Sequence, residues 1–152
     1  MGRADRTPTV YTIGYAKHTP ATLMERLCKA GVKLLLDVRE LPLSRRPGFS
    51  KSALAVAAAK AGIEYRHFKS LGVPSRMRKA RKLGALEGAA YMEAFRSILR
   101  QQTDVLQDAL AVVEAHPSCL LCLEQKPAEC HRTVVAEELD RVSSAGLKIE
   151  HL

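Results

Sequence analysis

A chain of 152 residues sits in the range of one domain and can bury a core without disulfides or metals to staple it. With 47% hydrophobic and 26% charged residues, disorder is excluded, and no apolar run approaches the roughly 20 residues needed to span a bilayer. The net charge of +8 and a pI near 9.6 point to acidic partners, either nucleic acid or small phosphorylated or carboxylated ligands, with solubility as the competing explanation.

Residues 1–8 are polar and basic and are expected to be a flexible N-terminus, without the apolar stretch of a signal peptide. A cytoplasmic location and reduced cysteines follow as expectations, and no membrane partner is expected. The ordered domain is placed at residues 9–152.

Val10 to Tyr15 reads as a short β-branched and aromatic strand. Thr19 offers an N-cap and Pro20 a first helical position, and Leu23, Met24, Leu27 and Cys28 then recur at helical spacing until Gly31. Cys28 is accordingly placed in the core. Val32 to Val38 is a second strand whose continuous apolar run suits a sheet covered on both faces. A Pro/Arg-rich loop with Arg45 and Arg46 follows, then an Ala-rich helix from Lys51 to Ala61 and a third strand from Ile63 to Phe68.

Residues Leu71 to Gly88 hold three glycines, one proline and five Lys/Arg side chains with little periodicity. They read as a long mobile loop with at most one helical turn, of the kind that serves as a lid or binding loop. Helical spacing returns at Tyr91, Phe95, Ile98 and Leu99 and again after Thr103, until Pro117. Cys119 to Leu123 is a fourth strand, Pro127 opens a last helix, and Leu147 to Leu152 is a fifth strand. Strand and helix alternate throughout, which predicts an α/β three-layer sandwich with a mostly parallel five-stranded sheet.

Four cysteines are present: Cys28, Cys119, Cys122 and Cys130. Cys119 and Cys122 spell a CxxC, but residues three apart in a strand face opposite ways, so this pair cannot pinch one metal. No metal and no cofactor are expected. There is no GxGxxG, no phosphate loop and no nucleophile elbow. The Cys-x5-Arg loop of cysteine phosphatases is also missing, because Arg132 follows Cys130 by two.

In open parallel sheets ligands bind outside the carboxyl ends of the strands. Those ends carry Gly14 and Tyr15, Asp37 and Arg39, Arg66 and His67, and Cys122 and Glu124, with Cys130-His131-Arg132 close behind. A cysteine near a helix start, flanked by His131 and Arg132, gains thiolate character. Glu124 is placed to carry protons. The candidate catalytic residues are therefore Glu124, Cys130 and His131, and the candidate ligand-binding residues are Gly14, Tyr15, Asp37, Arg39, Arg45, Arg66 and Arg132. The competing reading makes Glu124 and Arg132 a structural ion pair and Cys130 a packed side chain. His67 is read as an ordinary strand residue.

Several motifs recur together: Tyr11-Thr12-Ile13-Gly14-Tyr15, Leu36-Asp37-Val38-Arg39, the Pro42/Ser44-Arg45 loop ending at Phe49, Gly62-Ile63-Glu64-Tyr65-Arg66, Leu71-Gly72, Tyr91-Met92, Cys122-x-Glu124 and Cys130-His131-Arg132. The set resembles the domain-of-unknown-function 488 proteins of bacteria and archaea. The resemblance implies a compact α/β fold and groups Asp37, Arg39, Arg45, Glu124, Cys130, His131 and Arg132 as one site, without naming a reaction. One departure is Gly72-Val73, where that family usually has a second glycine.

Three functions are compatible with these residues. The first is an enzyme acting on, or binding, a small phosphate- or nucleotide-like anion at the strand ends. The second is a nucleic-acid-binding module that uses the basic stretch 76–82. Only 5% aromatic residues and no Trp leave few stacking platforms for it. The third is a thiol-redox protein using Cys122 and Cys130, whose spacing of eight is unlike that of cytosolic redox pairs.

Overall fold

The computed structural model describes residues 7–152. The elements in chain order are β1 (Thr9–Gly14), α1 (Pro20–Lys29), β2 (Leu34–Asp37), α2 (Lys51–Lys60), β3 (Glu64–His67), α3 (Ser75–Lys82), α4 (Gly88–Arg100), α5 (Thr103–Ala115), β4 (Ser118–Cys122), α6 (His131–Val142) and β5 (Lys148–His151). The sheet has the order β3-β2-β4-β1-β5, and every pair is parallel. The expected α/β sandwich is what forms. The flexibility expected of residues 1–8 falls largely outside the described residues.

Alternation along the strands splits the core in two. Ile13, Leu35, Cys119 and Leu121 face one side, where Leu23 and Leu27 of α1 and Leu54 and Ala58 of α2 cover them. Val10, Leu34, Leu36 and Leu120 face the other, under Phe95 and Leu99 of α4, Leu106 and Leu110 of α5, and Val135 and Leu139 of α6. Cys119 and Cys122 thus point to opposite faces, as strand parity requires.

Helix α1 begins as its sequence directs, with Thr19 and Thr22 bonded reciprocally and Pro20 in the first turn. Cys28 departs from expectation. It lies on the exposed side of α1, its thiol 3.7 Å from the Ala61 carbonyl, because the buried stripe ends at Leu27.

Two further departures bear on function. The basic stretch is not a loop: Ser75–Lys82 is helical, following Pro74 and burying only Met77. One buried side chain in two turns produces no apolar period, which is why the sequence conceals a helix built of good helix formers. Pro127 opens a 3-10 turn, Pro127–Glu129, and α6 starts only at His131, with Cys130 as its N-cap.

Helices α4 and α6 are tied by a buried carboxylate. Glu138, 1% exposed, accepts hydrogen bonds from Arg96, Arg100 and Arg141 at 3.0, 3.0 and 2.8 Å. Burial works against its charge, but the three guanidinium bonds outweigh it and hold the carboxyl below its ordinary value. A depressed carboxylate stabilises the fold above its unfolded pKa and loses that effect as pH falls through the folded one. Glu138→Gln should cost about 1–3 kcal/mol near neutrality, since the arginines are themselves partly solvated. In urea melts the gap between parent and variant should close as pH drops below about 4.

Candidate functional site

The two strands that flank β4, β1 and β2, explain where a cleft opens. Helices α1 and α2 leave β1 and β2 over one face, whereas α6 leaves β4, which lies between them, over the other. Connections that part in this way leave a crevice at the carboxyl end of the central strand. A pocket of about 780 Å³ lies there, within the size range of small-ligand sites.

Cys122, Leu123 and Glu124 from the end of β4, with Cys130 and His131 from the start of α6, form one side. Tyr15, Arg39 and Glu40 form a second. The third is α3, which contributes Arg78, Lys79, Arg81 and Lys82, with Tyr91 behind it. Five cationic side chains and two carboxylates thus line the cleft, with Arg39 paired to Asp37 and Arg78 to Glu40. Helix α3 is docked by Glu40, which accepts from Ser75 at 2.8 Å and from Arg78 at 3.0 Å. Arg81 stacks its guanidinium over the Tyr91 ring at 4.7 Å.

The chemical corner consists of two thiols and an imidazole. His131 Nε2 lies 2.7 Å from the Val38 carbonyl. A carbonyl can only accept, so Nε2 carries a hydrogen and Nδ1 faces the thiols. Nδ1 is 3.3 Å from Cys122 Sγ and 4.0 Å from Cys130 Sγ. Cys130 Sγ also accepts from the Arg132 backbone N–H at 3.5 Å, at the positive end of α6. Burial opposes a thiolate at Cys130, yet donation by Cys122, the contact and charge of His131 and the Arg132 N–H prevail, and its pKa falls well below that of an ordinary thiol. Cys122 moves the opposite way, because its proton bonds to Cys130 and because it is buried. The Glu124 carboxylate makes no hydrogen bond or ion pair among the described residues and lines the same pocket, half-buried.

Asp37 and Arg39 are a structural pair. Asp37 receives Arg39 Nε at 2.8 Å and Nη2 at 2.6 Å, and the Tyr65 hydroxyl at 2.5 Å. Arg39 Nη1 donates to the Phe49 carbonyl at 2.7 Å and contacts the Tyr15 hydroxyl at 3.3 Å. His67, read as an ordinary strand residue, bonds the Arg39 carbonyl at 2.7 Å. Tyr15 in turn stacks on Phe49 at 4.7 Å. Arg39 still reaches the pocket wall, but its donors are already engaged.

Arg132 is wholly buried and donates to the carbonyl oxygens of Glu124 and of Gln125, the latter at 3.0 Å. No carboxylate among the described residues pairs with it, so an ion pair with Glu124 does not form. Its Nε is the one buried side-chain nitrogen or oxygen without a partner among the described residues. Arg132 therefore shapes the turn from behind. Arg45 and Arg66 lie outside the pocket: Arg45 is exposed in its loop, and Arg66 pairs with Glu64 at 3.1 Å on the edge strand. The neighbouring Arg46 straps the carbonyls of Tyr15, Ala16 and His18.

The model for the Domain of unknown function DUF488 matches residues 19–139, more than three quarters of the sequence. The chain belongs to the DUF488 family. No curated protein and no solved structure matches it. The DUF488 match takes in every pocket residue named above except Tyr15, which reaches the site from β1.

Gly14 lets the turn after β4 approach β1 closely. A Cβ there would lie 1.7 Å from the Glu124 carbonyl oxygen, against rigid backbone. Gly14→Ala should force the turn away from β1 and destabilise the fold by about 3 kcal/mol or more, as overpacking against backbone does. Chemical denaturation checks this, and an unchanged midpoint would remove the close approach from the account.

Proposed function

We propose that this DUF488 protein is an enzyme that takes a small phosphate- or nucleotide-like anion into the cleft at the end of β4. Lys79, Arg81 and Lys82 bind the anion, and the Cys122–Cys130–His131 corner is the reacting centre. Glu124, with its carboxylate free of partners among the described residues, carries protons to or from the ligand. The observation that carries this reading is the excess of cations around a concave pocket whose floor holds two thiols and an oriented imidazole.

A nucleic-acid role is less well supported by the same residues. Of the five basic side chains in the stretch 76–82, all but Arg76 line the pocket. Cations gathered around a cleft favour a ligand that enters it over a polymer lying across the surface.

The test is a thermal-shift screen of phosphorylated and carboxylated metabolites, followed by calorimetric titration of the hits. Each charge-assisted contact contributes about 1.5–3 kcal/mol, so Lys79→Ala with Arg81→Ala should weaken binding roughly a hundredfold or more. Both side chains are exposed and the packing they lose is the Arg81 stack on Tyr91, worth about 0.5–1 kcal/mol, so the double variant should melt within a few degrees of the parent. A double variant that binds every hit with parental affinity would sink the reading. Neutralising Arg39 or Arg132 is a poorer test, because both hold protein groups in place.

A further inference from the structure

We propose that Cys122, Cys130 and His131 form a binding site for one divalent transition-metal ion of the zinc class, with its fourth coordination position open to the cleft. The two thiol sulfurs and His131 Nδ1 lie within 4.8 Å of one another. Tetrahedral zinc, with bonds of about 2.3 Å to sulfur and 2.0–2.1 Å to nitrogen, places its ligand atoms roughly 3.5–3.8 Å apart. The separations of Nδ1 from the two sulfurs, 3.3 and 4.0 Å, bracket that spacing. Small side-chain rotations bring the set into place.

The supporting shell is already built. The Val38 carbonyl holds His131 Nε2–H at 2.7 Å, which fixes the ring and the tautomer that offers Nδ1 to a metal. Cys122 ends a central strand, and Cys130 caps a twelve-residue helix, so both sulfurs sit on rigid backbone. The Arg132 N–H donates to Cys130 Sγ, as a backbone amide can to a metal thiolate. Two thiolates and one imidazole are soft and borderline donors, which favour zinc over magnesium or calcium. Three protein ligands with a fourth position facing a cleft is the pattern of sites that exchange a ligand, whereas purely structural zinc sites are closed. The open position suits an oxygen of water or of an anion held by α3.

The CxxC spelled by Cys119 and Cys122 hides this set. Cys119 faces the opposite core layer, and the partners of Cys122 arrive only after the turn that Arg132 holds. The metal site goes beyond the anion reading and does not depend on it.

The experiment is cobalt titration of the intact protein after dialysis against chelator. Uptake of about one equivalent should bring tetrahedral d–d bands and thiolate-to-cobalt charge transfer, and zinc should displace them. Cys130→Ser and His131→Ala should each lower cobalt affinity by at least about a hundredfold, given that outer-shell losses alone cost 10–100-fold. Cys28→Ser, on an exposed face, should titrate as the parent does. Alkylation of the parent keeps the test decisive where a ligand variant does not fold: cobalt should protect Cys122 and Cys130 from a thiol reagent and leave Cys28 reactive. The Lys79→Ala, Arg81→Ala protein should keep full metal affinity while losing anion binding, so the two readings fail separately. A parent that binds no cobalt, or whose cobalt spectrum lacks thiolate charge transfer, overturns the proposal. So does isolation of a stable Cys122–Cys130 disulfide that forms in preference to the metal complex.

Discussion

The turn after β4 is gripped from three sides, and the cleft follows from that grip. Gly14 presents a bare Cα to the Glu124 carbonyl, where any side chain would collide. The amides of Tyr15 and Ala16 donate to the carbonyls of Cys122 and Leu123 at 3.0 and 2.9 Å. From beneath, the buried Arg132 guanidinium takes the Glu124 and Gln125 carbonyls. Arg132 has no carboxylate partner among the described residues, and two carbonyls only partly offset the cost of burying its charge. Its return is positional: Cys122, Glu124 and Cys130 are held around one point.

The opposite wall rests on a different balance. Asp37 and Arg39 lie at the end of β2, 0% and 7% exposed, and a buried pair of this kind is held by geometry more than by net attraction. The geometry is complete, with Tyr65, Tyr15 and the Phe49 carbonyl satisfying the remaining lone pairs and protons. Glu40, two residues beyond Val38, then fastens α3. Rigid pairs thus line the base of the cleft, while Lys79, Arg81 and Lys82 remain exposed around its mouth. That division suits a site whose reacting groups must stay fixed while its ligand-binding groups adapt.

Much of this was legible from the chain alone, and the failures have physical causes. Short apolar and β-branched runs located all five strands, and the rule for parallel sheets brought Cys122, Glu124, Cys130 and His131 together. The engagement of individual arginines is not legible in the same way. A sequence shows that Arg39, Arg45, Arg66 and Arg132 follow strand ends, but not which donors are already engaged by carbonyls or carboxylates. Helix α3 escaped because amphipathic period is a signal of burial, and this helix buries only Met77. Gly14 is ambiguous in sequence because close backbone approach and ligand approach both select glycine. Cys130 was correctly placed at a helix start, but the 3-10 turn at Pro127 moved it from the interior of the first turn to the cap itself.

The central claim is that a small anion enters at the carboxyl end of β4, between α3 and the first turn of α6. Amide chemical-shift mapping during titration with inorganic pyrophosphate tests it residue by residue. The largest shifts should fall on residues 78–82, Leu123 and 130–132, and they should saturate together. Shifts centred instead on Arg45, Arg66 and the β3 edge would place the anion on the outer surface and contradict it.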